Sequence, residues 1–179
     1  MADARTAIRA RGDDPVPLSV EPSGAEFAQP VKAFETASGS RPEPDPKGRI
    51  YRDRGGLIHL EALTVPTEVA PGATTRAHVV LRPNLARKAH WNNEVDDLVL
   101  WVNPPEGWQV DARYLTVPRP KQPVSQETRR VEFELRSPET VAAGRVRIPA
   151  YTLYYVCEDV DGTCLYQRQD LALDVRVRR

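Results

Sequence analysis

Methionine occurs once in this chain of 179 residues, phenylalanine three times and cysteine twice, and no apolar run approaches the length of a membrane span. That last absence leaves no sequence candidate for a transmembrane helix. Long apolar stretches with a 3.6-residue period are missing too, while seventeen prolines punctuate segments rich in valine and threonine. This composition favours an all-β protein with turn-rich connections over a helical one. An excess of charge of either sign is also missing: 25 basic residues balance 25 acidic ones, and the two signs alternate locally. No footprint for nucleic acid or an anionic membrane surface follows. The one basic cluster, Arg176, Arg178 and Arg179, reads as a solvated strand face and is given no function.

Motifs of hydrolytic and phosphoryl chemistry are absent as well. There is no Gly-rich phosphate loop, no Ser–His–Asp order and no paired-carboxylate motif. His59, His78 and His90 are scattered, and a C-x6-C spacing is not that of a zinc site, so neither a metal nor a cofactor is expected. Behind Met1-Ala2-Asp3-Ala4-Arg5 no apolar segment of a secretory signal is visible. The expected location is cytoplasmic, or extracytoplasmic if a targeting segment lies outside this chain.

What the chain does contain divides at about residue 52. Residues 1–52 carry Pro15, Pro17, Pro22, Pro30, Pro42, Pro44 and Pro46 among serine, glycine and charge, the composition of an extended, partly disordered arm. A short helix over Ala25–Thr36 is compatible with it, and Leu18, Val20, Phe27, Val31 and Phe34 could dock on a neighbour in this chain or another. Residues 53–179 read as a β-sandwich domain. Seven strands are expected, at Leu57–Val65, Thr75–Arg82, Leu98–Asn103, Gln109–Val117, Thr128–Ser137, Arg145–Glu158 and Thr163–Arg178. Alternation is clearest where Val131, Phe133 and Leu135 interleave with charged residues, so each such strand has one dry and one wet face. Pro66, Pro71-Gly72, Pro104-Pro105 and Pro118 fall between strands, where no ladder donor is needed.

Cys157 and Cys164 flank a hexapeptide, Glu158 to Thr163, within the last expected hairpin. A type I′ turn at Asp161-Gly162 would set Cys157 opposite Tyr166, two positions out of line; a longer loop from Glu158 to Thr163 would set it opposite Cys164, where a disulfide fits. Both registers are open. Glu158, Asp159 and Asp161 disfavour a thiolate nearby, which suits a disulfide awaiting attack better than an aggressive nucleophile. The pair is therefore either a redox site or a staple.

Two further groups could carry function. His90, Trp91 and Asn92, ahead of Glu94, Asp96 and Asp97, form a polar link between strands that could line a binding surface or simply pack one Trp. Trp101, Trp108, Tyr114, Tyr151, Tyr154, Tyr155 and Tyr166 supply aromatic mass for the sandwich. Tyr154 and Tyr155 cannot both point inward in a regular strand. Tyr154, Tyr155 and Tyr166 are accordingly candidates for shielding the cysteines or meeting a partner.

In order along the chain, Val69-Ala70-Pro71-Gly72, His90-Trp91-Asn92, Pro105-Glu106-Gly107-Trp108, Gly144 before a strand, and Leu153-Tyr154-Tyr155-Val156-Cys157 with Cys164 resemble the immunoglobulin-like N-terminal redox domain of DsbD-type thiol:disulfide interchange proteins. They also resemble the related C-terminal β-domain of thioredoxin-like NHL-repeat proteins. The resemblance spans roughly Gly56 to Val177, although Leu165-Tyr166-Gln167-Arg168 stand where the family often has a proline-containing stretch. It implies an antiparallel two-sheet immunoglobulin-like sandwich in which Cys157 and Cys164 accept electrons from one thioredoxin-like partner and pass them to another. The expected function is thiol:disulfide exchange. The alternative is a non-catalytic structural or interaction sandwich, stapled by the disulfide, whose N-terminal arm drives self-association by strand addition.

Overall fold

The computed structural model describes residues 41–159 and 162–179. The helix expected over Ala25–Thr36 and the apolar anchors from Leu18 to Phe34 lie outside the described residues. Among the described residues there are eleven strands: β1 (Ile58–Val65), β2 (Glu68–Val69), β3 (Thr74–Pro83), β4 (Ala89–Asn92), β5 (Leu98–Val102), β6 (Gln109–Val110), β7 (Tyr114–Val117), β8 (Val124–Ser125), β9 (Arg129–Arg136), β10 (Gly144–Glu158) and β11 (Cys164–Val177). One sheet has the order β1-β3-β9-β6; the other runs β2-β11-β10-β4-β8, with β5 also paired to β10 and β7 to β5. All pairs are antiparallel except β2 with β11. The two-sheet, all-β sandwich expected from the sequence is the fold.

Alternation explains why the two sheets face each other. In β9 the inward series Val131, Phe133 and Leu135 is buried, and in β3 Ala77, Val79 and Leu81 are fully so. Across from them Ile148, Tyr154, Val156, Leu173 and Val175 come from β10 and β11, with Trp91 and Leu100, to make one continuous core. The outer face of the four-stranded sheet is wet: its charges pair across strands as Arg76–Glu134 and Arg82–Glu61, and the His78 ring lies 3.1 Å from the Glu132 carboxylate. Exposed pairs of this kind contribute only about 0–1 kcal/mol each; their role is to keep that face soluble.

The expected strand Gln109–Val117 is two strands. β6 joins the four-stranded sheet and β7 the other, and Asp111 makes the crossing, its amide donating to the Glu134 carbonyl (3.3 Å) and its carboxylate accepting from the Ala112 amide (2.9 Å). The opposite lip is handled in the same way. The chain pairs with β11 at Arg52, joins the other sheet as β1, then returns through the cis Val65–Pro66 peptide to pair with β11 again as β2. A proline in the middle of β10 is tolerated for a local reason. The Pro149 carbonyl accepts from the Asn103 amide, so its nitrogen faces the same side, just beyond the Ala150–Val102 end of the β5 ladder. Only the reciprocal bond to the Asn103 carbonyl, at the very end of that ladder, is forgone.

Candidate functional site

The cysteines occupy the tip of the longest hairpin. β10 and β11 stay in register from Gly144–Val177 to Cys157–Cys164, so the longer loop is adopted and the type I′ alternative is not. The disulfide forms between directly opposed residues whose Cα atoms are 4.0 Å apart, the close spacing of a non-hydrogen-bonded antiparallel pair. Its two halves differ in access. Cys157 is 2% exposed, whereas Cys164 lies open to solvent.

The tip is pinned to the turn before β4. Arg87 is paired with Glu158 and Lys88 with Asp159, and the Asp159 amide donates to the Lys88 carbonyl (3.3 Å). Gly162 belongs to this construction, because a methyl group there would overlap the Glu158 carbonyl. Glu158 and Asp159, beside Cys157, are thus engaged with cations from a neighbouring element.

His90-Trp91-Asn92 is not a polar loop. These residues form β4, with His90 directly opposite Cys157 and Trp91 opposite Val156. The cause is period-2 alternation over four residues, too short to stand out: Ala89 and Trp91 point into the core, His90 and Asn92 outward. Trp91 is fully buried, donates its indole N–H to the Glu127 carbonyl (2.8 Å), meets Tyr154 edge to face at 5.8 Å and carries the Arg129 guanidinium 4.4 Å above its ring. It is a packing residue. The loop proper is Asn93–Asp97, a five-residue insertion between β4 and β5, both of which pair with β10. His90, Lys88, Val124, Ser125, Gln126 and Asp159 line a groove of about 370 Å³ beside the hairpin tip. Among the described residues no cluster of ligating side chains could hold a metal ion.

The three tyrosines separate by face. Tyr154 points inward and is 1% exposed, its hydroxyl bonded to the Asp53 carboxylate (3.0 Å), so it is not placed to meet a partner. Burial, then the neighbouring Asp53 charge, raises its pKa far above the ordinary tyrosine value. Tyr155 and Tyr166 are opposite one another on the outer face of the larger sheet and stack with centroids 4.4 Å apart. Burial and the adjacent Tyr155 push the Tyr166 hydroxyl up to about 12.

The last residues of the expected N-terminal arm pack further along this outer face. Residues 43–53 lie across it as a strap. The Arg168 amide donates to the Tyr51 carbonyl (2.7 Å) and the Asp53 amide to the Arg168 carbonyl (2.9 Å), while Ile50 packs on the cluster of Val99, Trp101, Tyr151 and Leu153. At its centre Asp45, 5% exposed, accepts from Arg168 Nη1 (2.9 Å) and from the Arg49 amide (2.8 Å). Burial raises the Asp45 pKa, but the Arg168 hydrogen bond and the two backbone donors outweigh it and hold the carboxyl below its ordinary value. Tyr151 sits beneath: it accepts from the Asp45 amide (3.1 Å), donates to Glu43 (3.2 Å) and carries the Arg168 guanidinium 3.7 Å above its ring. Burial drives its hydroxyl up to about 12. The signal in the sequence was Asp45 itself, an acid followed four and five residues later by the amides it accepts, but local spacing does not name Arg168 as the partner.

No protein-family model and no curated protein matches the chain. Among solved structures it is similar to a protein of unknown function from Porphyromonas gingivalis W83 (16% identity over 68% of this chain and 48% of that one, TM-score 0.37). It is also similar to AggA, the major subunit of aggregative adherence fimbriae type I from Escherichia coli (10% identity, 68% and 95%, TM-score 0.35). A third is a cohesin–dockerin complex from Clostridium thermocellum (9% identity, 66% and 99%, TM-score 0.35). The chain thus spans about half the length of the first of these. Likenesses this distant carry no argument about activity; the fold stands on the strand pairing described above.

Proposed function

We propose that this chain is a non-catalytic interaction module: a β-sandwich in which Cys157–Cys164 is a structural staple and the larger sheet presents the binding surface. The observation that carries the reading is the burial of Cys157 at 2% exposure in a tip held by Arg87–Glu158 and Lys88–Asp159. Were a partner's thiolate to attack the exposed Cys164 sulfur, the S–S bond would break and Cys157 would leave as a thiolate. That anion would be desolvated at a position only 2% exposed, an environment that disfavours it. A staple of this kind needs no fast exchange. It is expected to stay oxidised until the potential falls below about −300 mV, as structural disulfides do.

The second reading, thiol:disulfide exchange of the DsbD type, is favoured by one feature only, the solvent-open Cys164. A single experiment separates the two. The native chain is equilibrated in graded dithiothreitol redox buffers, and its oxidised form is challenged with a reduced thioredoxin that lacks its resolving cysteine. A low potential and no mixed disulfide support the staple. A potential near −200 mV together with a trapped mixed disulfide sinks it in favour of exchange.

A further inference from the structure

The strap, residues 43–53, is joined to β1 only through Arg54-Gly55-Gly56-Leu57. Gly56 adopts φ +64° with nothing within 4 Å of where a Cβ would be, a conformation that glycine reaches without cost. The strap's bonds divide into two sets. One set is internal to it: Asp45 with the Arg49 and Ile50 amides, and the Gly48 amide with the Asp45 carbonyl. The other set goes to the sheet, to Tyr151, Arg168 and Asp170 by hydrogen bonds and ion pairs and to Val99, Trp101 and Leu153 by packing of Ile50. Nothing in the second set requires the strap and the sheet to belong to one molecule. The Asp53 carboxylate ties strap to body across the hinge, accepting from the Leu57 and Ile58 amides (3.2 and 3.0 Å) and from Tyr154 (3.0 Å), and the hinge carbonyls of Gly55 and Gly56 accept from Arg87 and Asn84 (2.8 and 2.9 Å), bonds that exchange must release or keep at home.

The charges give the surface one partner. The strap offers Asp45 and Arg52 to a sheet that offers Arg168 and Asp170, paired at 2.9 and 2.8 Å. Reversed charges at both ends fix direction and register, and backbone bonds on either side of Arg168 add a short parallel strand. A segment bound in this way, with a two-glycine hinge beside it, has the layout from which swapped dimers form at low cost. We propose that residues 43–53 are an exchangeable strap and that the outer face of the seven-stranded sheet receives the same segment of a second copy of this chain. The proposal rests on the interaction reading above and names its partner.

The test uses the full chain and charge reversal. In Asp45→Arg and in Arg168→Asp the strap meets like charge on its own sheet and cannot seat. In an equimolar mixture each strap meets opposite charge on the other chain. Sedimentation velocity is expected to show monomers for each variant alone and a doubled mass for the mixture. The double variant Asp45→Arg/Arg168→Asp, whose strap can seat at home, serves as the folding control. A mixture that stays monomeric while the double variant folds overturns the proposal. Should either single variant fail to fold, removal of Gly55 and Gly56 from the native chain decides instead. A hinge too short to fold back must give a dimer that Asp45→Ala, whose cost is local to the strap, weakens; a monomer, or a dimer indifferent to Asp45→Ala, refutes the exchange. The redox experiment is independent. An exchange-active disulfide in a chain that dimerises would sink only the non-catalytic reading, and an inert disulfide in a monomeric mixture would sink only the strap.

Discussion

Replacing Asp45 by alanine removes the acid at the centre of the strap, and its cost can be worked from the bonds it breaks. Breaking a fully buried ion pair costs about 3–5 kcal/mol, because the surviving charge is left uncompensated. Arg168 is not left so: it keeps Asp170 at 2.7 Å and the residue-45 carbonyl at 3.0 Å. What is lost is one charge-assisted bond and the carboxylate's acceptance of the Arg49 and, more weakly at 3.4 Å, the Ile50 amides, which together put the loss at about 2–3 kcal/mol. This is local stability, so the assay is native-state hydrogen exchange. The Gly48, Asp53 and Arg168 amides, bonded through the strap, should lose protection by about 30- to 150-fold, since each 1.4 kcal/mol is tenfold. Amides of the sandwich interior, such as Val79 and Val131, should not change. The same strap should loosen in acid. The folded pKa of Asp45 lies below its unfolded value, so its contribution is fully present above the unfolded value of about 3.9 and is lost as pH falls through the folded one. Unchanged exchange at Gly48 and Arg168 in the variant would refute the assignment of Asp45 as the anchor; an equal loss at Val131 would show that the strap belongs to the global folding unit.

The remaining expectations concern the hairpin, the core and the tyrosines. Removing both sulfurs with Cys157→Ala/Cys164→Ala opens a loop of eight residues, worth about 2.5 kcal/mol in the chain-entropy model. Urea unfolding of the otherwise folded variant should show it as a midpoint lower by about 1 M, and a midpoint unchanged within error would mean that the ion pairs at the tip suffice. Arg129→Ala leaves Glu127 and Asn93 without their buried cation and Trp91 without its stacking partner, so a loss of about 3 kcal/mol is expected from the same measurement. In ultraviolet titration of the folded protein, Tyr151 and Tyr166 should ionise near 12, with Tyr154 silent until unfolding. Because these pKa values are raised, the stability they represent is complete below the unfolded value of about 10 and disappears as pH rises through 12. Tyrosines that all titrate near 10 without unfolding would contradict the burial described.

Much of the sandwich was legible because its strands bury one face. Val131, Phe133 and Leu135 alternate with charge over enough residues to fix both element and orientation, and the same holds for β3 and the second half of β11. The short strands were not legible for the same reason. β2, β6 and β8 have two residues each, too few for any period, and β4 was hidden among His90, Asn92 and the acids after it. The site divides in a similar way. The cysteine pairing was one of two registers that turn chemistry allowed, and the long ladder of β10 with β11 selects between them. The strap depends on Asp45 meeting Arg168 across 123 residues, a pairing of tertiary structure that no local pattern contains.

The return of the chain to β11 on both sides of β1 has a mechanical meaning. Tyr51–Asp53 and Thr67–Val69 both run parallel to β11, and four backbone hydrogen bonds join them to Arg168, Arg176 and Arg178. A pull that separates residue 41 from Arg179 drags these neighbours in opposite directions along their length. The bonds are then sheared together, with the Asp45–Arg168 pair loaded beside them, instead of being opened one after another from an end. Tension between the two ends of residues 41–179 therefore loads these bonds in shear, with the disulfide-bonded tip of the hairpin beyond Arg168 and out of the line of force.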